Sequence, residues 1–369
     1  MLSRLGMSNP VVLAPMAGCC TPALVAAVSN AGGLGMYGAA SLPASQLPSI
    51  VQDIRAQLQQ PDLPFGINLF VPPAELPPHT EAQQAALRQV HAYYADAAAR
   101  LQLDCEVAAP TPDLAALQAN FTAQVQVLLD EAVPVIAFYF GLPEQQLLSR
   151  IQAAGTFTMG TVTCLQEAQK LQAAGIDAMV VQGSEAGGHR GTWYKTGDYT
   201  PHMTGTTTLV ALLAQQVRDV PLLAAGGIMN GGQVAAALAA GAAAVQVGTA
   251  FLTTAEAGTP QPGRQLLLQD HTRGTTVTQA FTGRPARGLT NQATRDLQQL
   301  QQQLPLSLIG LVNARPFYNA AASVSSDYVL QLCGQGYPLC RECSAGELVR
   351  QLLQEAEAEV QELGKEDAA

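Results

Sequence analysis

A glycine-rich loop that carries one histidine is the segment whose residue types most clearly favour chemistry. The loop, residues 182–191 (QGSEAGGHRG), directly follows the apolar run Ala178–Val181. Glycine costs backbone entropy on folding, a cost that is tolerable where a loop must wrap closely around a ligand. His189 titrates near neutrality and can act there as acid, base or hydrogen-bond donor. A lone histidine is more often structural, but this position at a strand end predicts an active-site role.

Two further glycine turns predict a phosphate site. Gly226-Gly227 follows the apolar run Leu222–Ala225, and Gly248-Thr249 follows Ala244–Val247, about one βα unit later. In a barrel of parallel strands the loops after the seventh and eighth strands commonly bind phosphate, because glycine lets backbone amides approach an anion closely. Either pair alone could be a tight turn that needs glycine sterically. Both at this spacing favour a phosphate-bearing cofactor.

Two candidate residues lie near the ends of other predicted strands. Met16 follows the run Val11–Ala14, and Asn68 lies in the run Phe65–Phe70. They would bring a soft apolar group and an amide that both donates and accepts hydrogen bonds to the same rim. A core methionine and a turn-forming asparagine are equally good interpretations of these two residues taken alone.

The elements that must position these residues follow the pattern of repeated βα units. Short apolar runs alternate with Ala-, Leu- and Gln-rich helical stretches that a glycine commonly ends. Eight runs qualify as strands, the number that closes a TIM (β/α)8 barrel. The predicted strands are Val11–Ala14, Leu34–Tyr37, Phe65–Phe70, Pro134–Phe140, Phe157–Val162, Ala178–Gln182, Leu222–Ala225 and Ala244–Val247.

Two stretches interrupt this rhythm and predict an additional helical lobe. Residues 72–131 begin with four prolines and continue as two helical stretches with no strand between them, and the chain after residue 262 is Gln-rich and mainly helical. We therefore assign residues 1–71 and 132–262 to the barrel. Residues 72–131 and 263–369 are assigned to an insertion and a C-terminal lobe over the active site.

Composition limits the compartment and the partners. The 369 residues, 48% of them apolar, can bury a large core, and the net charge of -10 repels nucleic acid and anionic membrane surfaces. No signal-peptide segment is predicted, and the apolar stretch Val234–Leu252 is interrupted by Gly241 and Gly248, so it is not a membrane span. The number of cysteines, seven, is odd, which argues against a secreted disulfide framework. Cys340 and Cys343 have the spacing of zinc ligands, but no second pair of cysteines or histidines follows to complete a zinc site. We expect a cytoplasmic protein without a metal.

The motifs, taken together, resemble the nitronate monooxygenase family, formerly called 2-nitropropane dioxygenases, and its bacterial class I branch in particular. They are PMAG (15–18), FGINLF (65–70), the histidine loop, AAGGI (224–228) and VQVGTAF (245–251), in the order and approximate spacing of that family. The similarity spans roughly residues 9–251. Weaker similarity to the family occurs at residues 281–289 (FTGRPARGL) and in the GQG of residues 334–336.

The resemblance implies an FMN-dependent enzyme that oxidises alkyl nitronates, such as propionate 3-nitronate, with O2 to a carbonyl compound and nitrite or nitrate. It implies that His189 contacts the nitro or nitronate group and can act as a base toward a neutral nitroalkane. We also expect a substrate pocket that includes Tyr139, Tyr318 and Tyr328. The family resemblance also implies the residues that contact the cofactor. They are Met16, Ala17, Gly18, Asn68, Gln182 and Gly187 around the flavin, and Gly226, Gly227, Gly248 and Thr249 around its phosphate.

Two alternatives stay open. An FMN-dependent enoyl-acyl-carrier-protein reductase shares the barrel and an EAGGH loop but uses NAD(P)H; the PMAG start, the HRG after the glycines and the longer C-terminal lobe favour the nitronate hypothesis. A flavin-binding non-catalytic subunit would be expected to lose His189 or its loop, and this chain keeps both. The expected partners are a small-molecule nitronate and O2, and a homodimer is left open.

Overall fold

The barrel is formed by eight parallel strands in the computed structural model, which describes residues 1–40, 42–76, 78–107, 113–194, 203–305 and 313–366. Hydrogen bonds between the first two strands close it: Leu13 N donates to Leu34 O at 2.9 Å, and Leu34 N donates to Val11 O at 3.0 Å. The predicted TIM barrel is confirmed. Its strands are β1 Val11–Leu13, β2 Gly35–Gly38, β3 Phe65–Phe70, β4 Val135–Tyr139, β5 Phe157–Val162, β6 Ala178–Gln182, β8 Leu222–Ala225 and β9 Ala244–Val247.

The strands are nearly continuous apolar runs because both of their faces are covered. Side chains such as Val12, Met36, Met159 and Leu223 fill the barrel interior, and the short helix α1, Leu2–Leu5, packs against that cluster. The other face of the strands meets the surrounding helices, where Val11, Ile67 and Val181 belong to the largest core cluster.

The helices of the outer ring follow the strands in alternation. Helix α2, Pro22–Asn30, begins at a side-chain cap, since Thr21 Oγ1 accepts a hydrogen bond from Leu24 N at 3.0 Å and Pro22 occupies the first helical position. The other ring helices up to β9 are α3 Leu47–Arg55, α5 Leu114–Asp130, α6 Gln145–Ala153, α7 Leu165–Ala173, α8 Thr206–Gln216 and α9 Gly231–Ala239.

Helix α13, Ala345–Glu366, comes from the end of the described chain and packs between α9 and α2. Its side chains Leu348, Val349 and Leu352 are fully or almost fully buried in the barrel's outer core. Helix α5 packs on the same core through Phe121 and Val125. The division into a barrel and a lobe stays a prediction. The sequence assigned α5 to the insertion and α13 to the C-terminal lobe, whereas both helices pack against the core of the barrel.

The lobe has a hydrophobic core of its own. Helix α4, Glu81–Arg100, contributes Tyr94, and α12, Arg315–Ala321, contributes Phe317 and Tyr318. The remaining described lobe helices are α10 Gln261–Gln269 and α11 Gln292–Asp296. In the described ranges no helix combines the length and the apolar composition that a membrane span requires.

A three-stranded antiparallel sheet joins the lobe to the barrel rim. Strand β10, Thr275–Thr278, pairs with β11, Ala286–Leu289, and β11 pairs with β7, the two residues Gly188–His189. Ala286 lies opposite His189 in this register. The sequence predicts a mainly helical lobe without this sheet, because a two-residue strand whose partner lies about a hundred positions away has no local signal.

The lobe core supplies a stability test on two adjacent tyrosines. The buried Tyr94 hydroxyl donates to Ala280 O at 2.9 Å and lies 2.7 Å from the Tyr318 hydroxyl, whereas the Tyr93 hydroxyl bonds Asp296 at an exposed position. Tyr94→Phe leaves the buried carbonyl oxygen of Ala280 without the hydroxyl that donates to it, so we expect the substitution to lower the free energy of unfolding by about 1–3 kcal/mol. Tyr93→Phe is the control and should cost less than Tyr94→Phe. Equal losses in urea denaturation would contradict this packing.

Candidate active site

The carboxyl ends of the barrel strands bring together most of the residues selected from the sequence. Asn68 lies in β3, Tyr139 ends β4 and Gln182 ends β6. Since these ends form one rim in a parallel barrel, their side chains approach a common region. The buried Asn68 donates from its amide to Ala137 O at 3.2 Å, which holds β3 and β4 together at this level.

Two side chains fix the backbone of His189. The Tyr139 hydroxyl donates to His189 O at 2.5 Å, and Gln182 Nε2 donates to the same oxygen at 2.9 Å. Gln182 Oε1 accepts from Gly191 N at 2.7 Å. Burial raises the pKa of Tyr139 to about 12, so its hydroxyl keeps the proton that it donates. Tyr139 and Gln182 therefore support the histidine loop, a role that their strand-end positions did not reveal.

Two arginines hold the rest of this loop against the rim. Arg190 Nη1 donates to Gln182 O at 2.6 Å and to Gly183 O at 2.8 Å. Arg287, on β11, donates from Nε to Ser184 O at 3.0 Å. Neither arginine could be predicted from the sequence to have this role, because the carbonyl groups that accept their hydrogen bonds come within reach only once the loop has folded.

The imidazole of His189 lies among aromatic rings and one hydroxyl. Its Nε2 is 2.9 Å from Thr282 Oγ1, and the rings of Phe70 and Phe140 approach it edge-on with centroids at 6.1 Å. Burial, together with the positive charges of Arg284 and Arg315, lowers the pKa of His189 to about 4. The imidazole is therefore neutral at pH 7 and can offer one nitrogen as donor and the other as acceptor.

The two glycine turns after β8 and β9 offer backbone donors. Gly226 and Gly227 have φ of 127° and 74°, a region that other residues adopt only with strain. Among the hydrogen bonds between described residues, none uses the amide of Gly226, Gly227, Gly248 or Thr249 as donor. Amides without an acceptor at a pair of glycine turns can donate to the oxygen atoms of a phosphate group.

The histidine loop contacts the first of these turns. A methyl group on Gly226 would lie 2.9 Å from Ala186 N, and one on Gly227 would lie 3.1 Å from Glu185 Cβ. The carboxylate of Glu185 accepts from Thr206 N and from its hydroxyl, each at 2.9 Å, so it caps helix α8. The first backbone amide of α8, that of Thr206, therefore has its acceptor within the protein.

The C-terminal part of the chain covers both turns. Gly334 N donates to Thr249 Oγ1 at 2.8 Å, and Gln335 N donates to Glu185 O at 2.9 Å. Gly187 passes so close that a methyl group there would lie 2.3 Å from the carbonyl carbon of Cys333. The GQG segment, whose sequence is only weakly similar to the family, therefore belongs to the candidate cofactor site.

The remaining predicted residues divide into two groups. Met16 lies beside Gly248, since a methyl group on that glycine would be 3.5 Å from Met16 Sδ, and Ala17 and Gly18 follow it on the surface. Tyr318 is in the lobe core, and Tyr328 packs against Phe317. The structure brings Tyr139 to His189, while the contacts of Tyr318 and Tyr328 lie within the lobe.

Comparisons with known proteins agree with this geometry. A family model described as nitronate monooxygenase matches residues 1–355. A nitronate monooxygenase of Paraburkholderia phytofirmans is 37% identical over 98% of this chain and 96% of its own length. The solved nitroalkane oxidase from Streptomyces ansochromogenes is 36% identical, covers 98% of this chain and 100% of its own, and has a TM-score of 0.86. FabK from Thermotoga maritima is 25% identical over 98% of this chain and 97% of its own, with a TM-score of 0.71.

The lowered pKa of His189 predicts how stability changes with pH. The unfolded chain binds a proton at this residue near pH 6.5 and the folded chain only near pH 4, so stability falls as the pH drops between these values. We expect His189→Gln to remove about 2 kcal/mol of the stability loss between pH 7 and pH 4.5, measured by urea denaturation. The control is His271→Gln at an exposed site, and an equal effect there would contradict the assignment.

Proposed function

Because this chain belongs to the nitronate monooxygenase family, we propose that it oxidises alkyl nitronates with O2 to a carbonyl compound and nitrite or nitrate, with FMN as cofactor. The observation that carries the proposal is the contact between the histidine loop and the Gly226-Gly227 turn. Only two residues, Gly187 and Gly188, lie between Ala186 and His189, so the Cα atoms of Ala186 and His189 are at most about 11 Å apart. A ligand with its phosphate on the turn can therefore extend toward the imidazole.

The residues at the rim fit FMN. The amides of Gly226, Gly227, Gly248 and Thr249 would hold the phosphate, with the GQG segment covering it. Met16 and Asn68 would lie along the flavin, as the family resemblance implies. When bound, flavin supplies the electron acceptor that side chains cannot provide. A chain with a net charge of -10 can bind an anion in this way because the donors are local amides.

His189 is better suited to orient a nitronate than to deprotonate a nitroalkane. A general base works best when its pKa is near the working pH, and the pKa of His189 is lowered to about 4. A nitronate is already a carbanion equivalent and needs no strong base. The neutral imidazole instead donates a hydrogen bond from one nitrogen to a nitronate oxygen, while Tyr139 and Gln182 keep its backbone in place.

We also propose that the protein works in the reducing cytoplasm. All seven cysteines are free thiols in the structure. Burial raises the pKa of Cys20 and of Cys340 to about 12, so these thiols stay protonated and unreactive. Such a set of cysteines suits a compartment that keeps thiols reduced.

The first test concerns His189. We expect His189→Asn to retain FMN and to lower kcat/KM for propionate 3-nitronate by about 10²-fold or more, because the nitronate loses its orienting donor. His91→Asn, on the lobe helix α4, serves as the control and should retain normal kinetics. Unchanged kinetics in His189→Asn would remove this residue from the mechanism.

The second test compares substrates. Anaerobic addition of propionate 3-nitronate to the purified FMN-loaded protein should bleach or shift the flavin absorbance. NAD(P)H should do so slowly or not at all. Rapid reduction by NAD(P)H without a response to the nitronate would instead favour an enoyl reductase. A colourless protein that stays colourless after FMN addition would favour a non-catalytic module.

The third test concerns the phosphate turn. Gly227→Ala should weaken FMN binding by about 10-fold or more, because a methyl group strains a residue at φ 74° and displaces the histidine loop at Glu185. Gly155→Ala is the matched control, with φ 77° and open space around the added methyl group. It should carry a similar backbone strain and retain FMN. Equal FMN affinity in the two variants, measured by fluorescence titration, would contradict the assigned phosphate site.

A further inference from the structure

Arg284 is a buried cation close to His189. It is only 5% exposed, and Nη2 donates to Thr192 O at 2.5 Å. Its Nε is buried without a hydrogen-bond partner among the described residues, and no described carboxylate lies within 4.0 Å of the guanidinium. Burying a charge is costly unless it is paired. The protein therefore keeps an unneutralised charge beside its candidate active site.

The buried carboxylate that influences Arg284 is occupied elsewhere. Glu167, on α7, accepts hydrogen bonds from Thr163 N and its hydroxyl at 2.6 and 2.8 Å. It also accepts from Trp193 N at 2.7 Å and Tyr194 N at 2.9 Å. With four donors on its two oxygens, Glu167 holds the segment after the histidine loop and forms no ion pair with Arg284.

Phe140 holds the guanidinium in place at the cost of backbone strain. The Arg284 guanidinium carbon lies 3.5 Å from the centroid of the Phe140 ring, a cation–π contact. Phe140 has φ of 70°, which is unusual for an aromatic residue and explains why β4 ends at Tyr139 instead of continuing to residue 140 as predicted. Strain of this kind is often found at functional sites. The same ring meets the His189 imidazole edge-on.

Thr282 connects Arg284 with His189. Its hydroxyl lies 2.9 Å from His189 Nε2 and accepts from Arg284 N at 3.4 Å. A guanidinium, a hydroxyl and a neutral imidazole therefore lie together around one aromatic ring. The neutral imidazole and the hydroxyl carry one N–H and one O–H between them, and one of these protons is used in their mutual hydrogen bond. When Thr282 donates to Nε2, His189 keeps its Nδ1–H as a donor to an oxygen atom, and the guanidinium supplies a full positive charge with a fork of donors.

We propose that Arg284 binds the negative charge of the substrate and that Arg284, Thr282 and His189 form a subsite for small planar anions with two oxygen atoms. The identity of the anion as a nitronate rests on the function proposed above. The charge of Arg284 makes the subsite selective for the ionised nitronate over the neutral nitroalkane, while His189 contributes a hydrogen bond without charge.

Propionate carries a planar carboxylate with two oxygen atoms but no nitronate group to oxidise, so it tests the subsite without turnover. Its affinity for the FMN-loaded protein is measured from the change in flavin absorbance, with propionamide as the uncharged analogue. We expect the wild type to bind propionate at least about 10-fold more tightly than propionamide. Equal affinities for the two compounds would overturn the proposal.

Three variants assign the selectivity to Arg284. Arg284→Gln should weaken propionate binding by at least about 30-fold and leave propionamide binding unchanged. Arg284→Lys keeps the charge without the fork and should lie between Arg284→Gln and the wild type. Arg273→Gln, which removes a lobe arginine paired with Asp270, is the control and should match the wild type. FMN content and melting temperature identify misfolded variants; if Arg284→Gln fails to fold, Arg284→Lys decides.

The outcomes separate this proposal from the proposed function. Propionate binding that depends on Arg284 in a protein that does not oxidise nitronates would leave the anion subsite standing and refute the nitronate activity. Nitronate oxidation by Arg284→Gln with unchanged KM would refute the anion subsite and leave the nitronate activity standing. Unchanged propionate affinity with a shifted flavin reduction potential would assign Arg284 to the flavin and overturn the proposal.

Discussion

The candidate site depends on the two hydrogen bonds that Tyr139 and Gln182 donate to the carbonyl oxygen of His189. A loop rich in glycine has many backbone conformations, so without such contacts the position of the imidazole would be undefined. Both donors come from the ends of barrel strands, which are rigid. The rigid strand ends thus hold the glycine-rich loop in one position. In that position the loop contacts the turn at Gly226.

The electrostatics of the site follow from burial without ion pairing. The same low-polarity surroundings keep His189 neutral and lower the pKa of Arg284 to about 10, still well above neutral pH. A neutral hydrogen-bonding group next to a lasting positive charge suits an anion better than it suits a proton-transfer reaction. Under the proposed function, the two glycine turns would bind the FMN phosphate through backbone amides, so that anion would need no basic side chain.

The lobe contributes to the site through a very small sheet. Two residues of the histidine loop pair with β11, and the turn before β11 carries Thr282 and Arg284. The lobe core behind it is held by the Tyr94 and Tyr318 hydroxyls, one of which bonds the carbonyl of Ala280. Packing within the lobe and the geometry beside His189 are therefore mechanically connected, although Tyr318 itself lies in the lobe interior.

The barrel, the two glycine turns and the histidine loop could be predicted from the sequence alone, because each has a local signature of apolar runs, turn glycines and spacing. Three relations became apparent only in the folded chain: Gln182 and Tyr139 support the loop, Arg284 lies beside His189, and helix α13 completes the outer ring. Gln182 lies 7 positions from His189, but Tyr139 lies 50 positions away, and the other relations join residues still farther apart along the chain. Contacts at that separation depend on how the whole chain packs, and no periodicity in one segment encodes them.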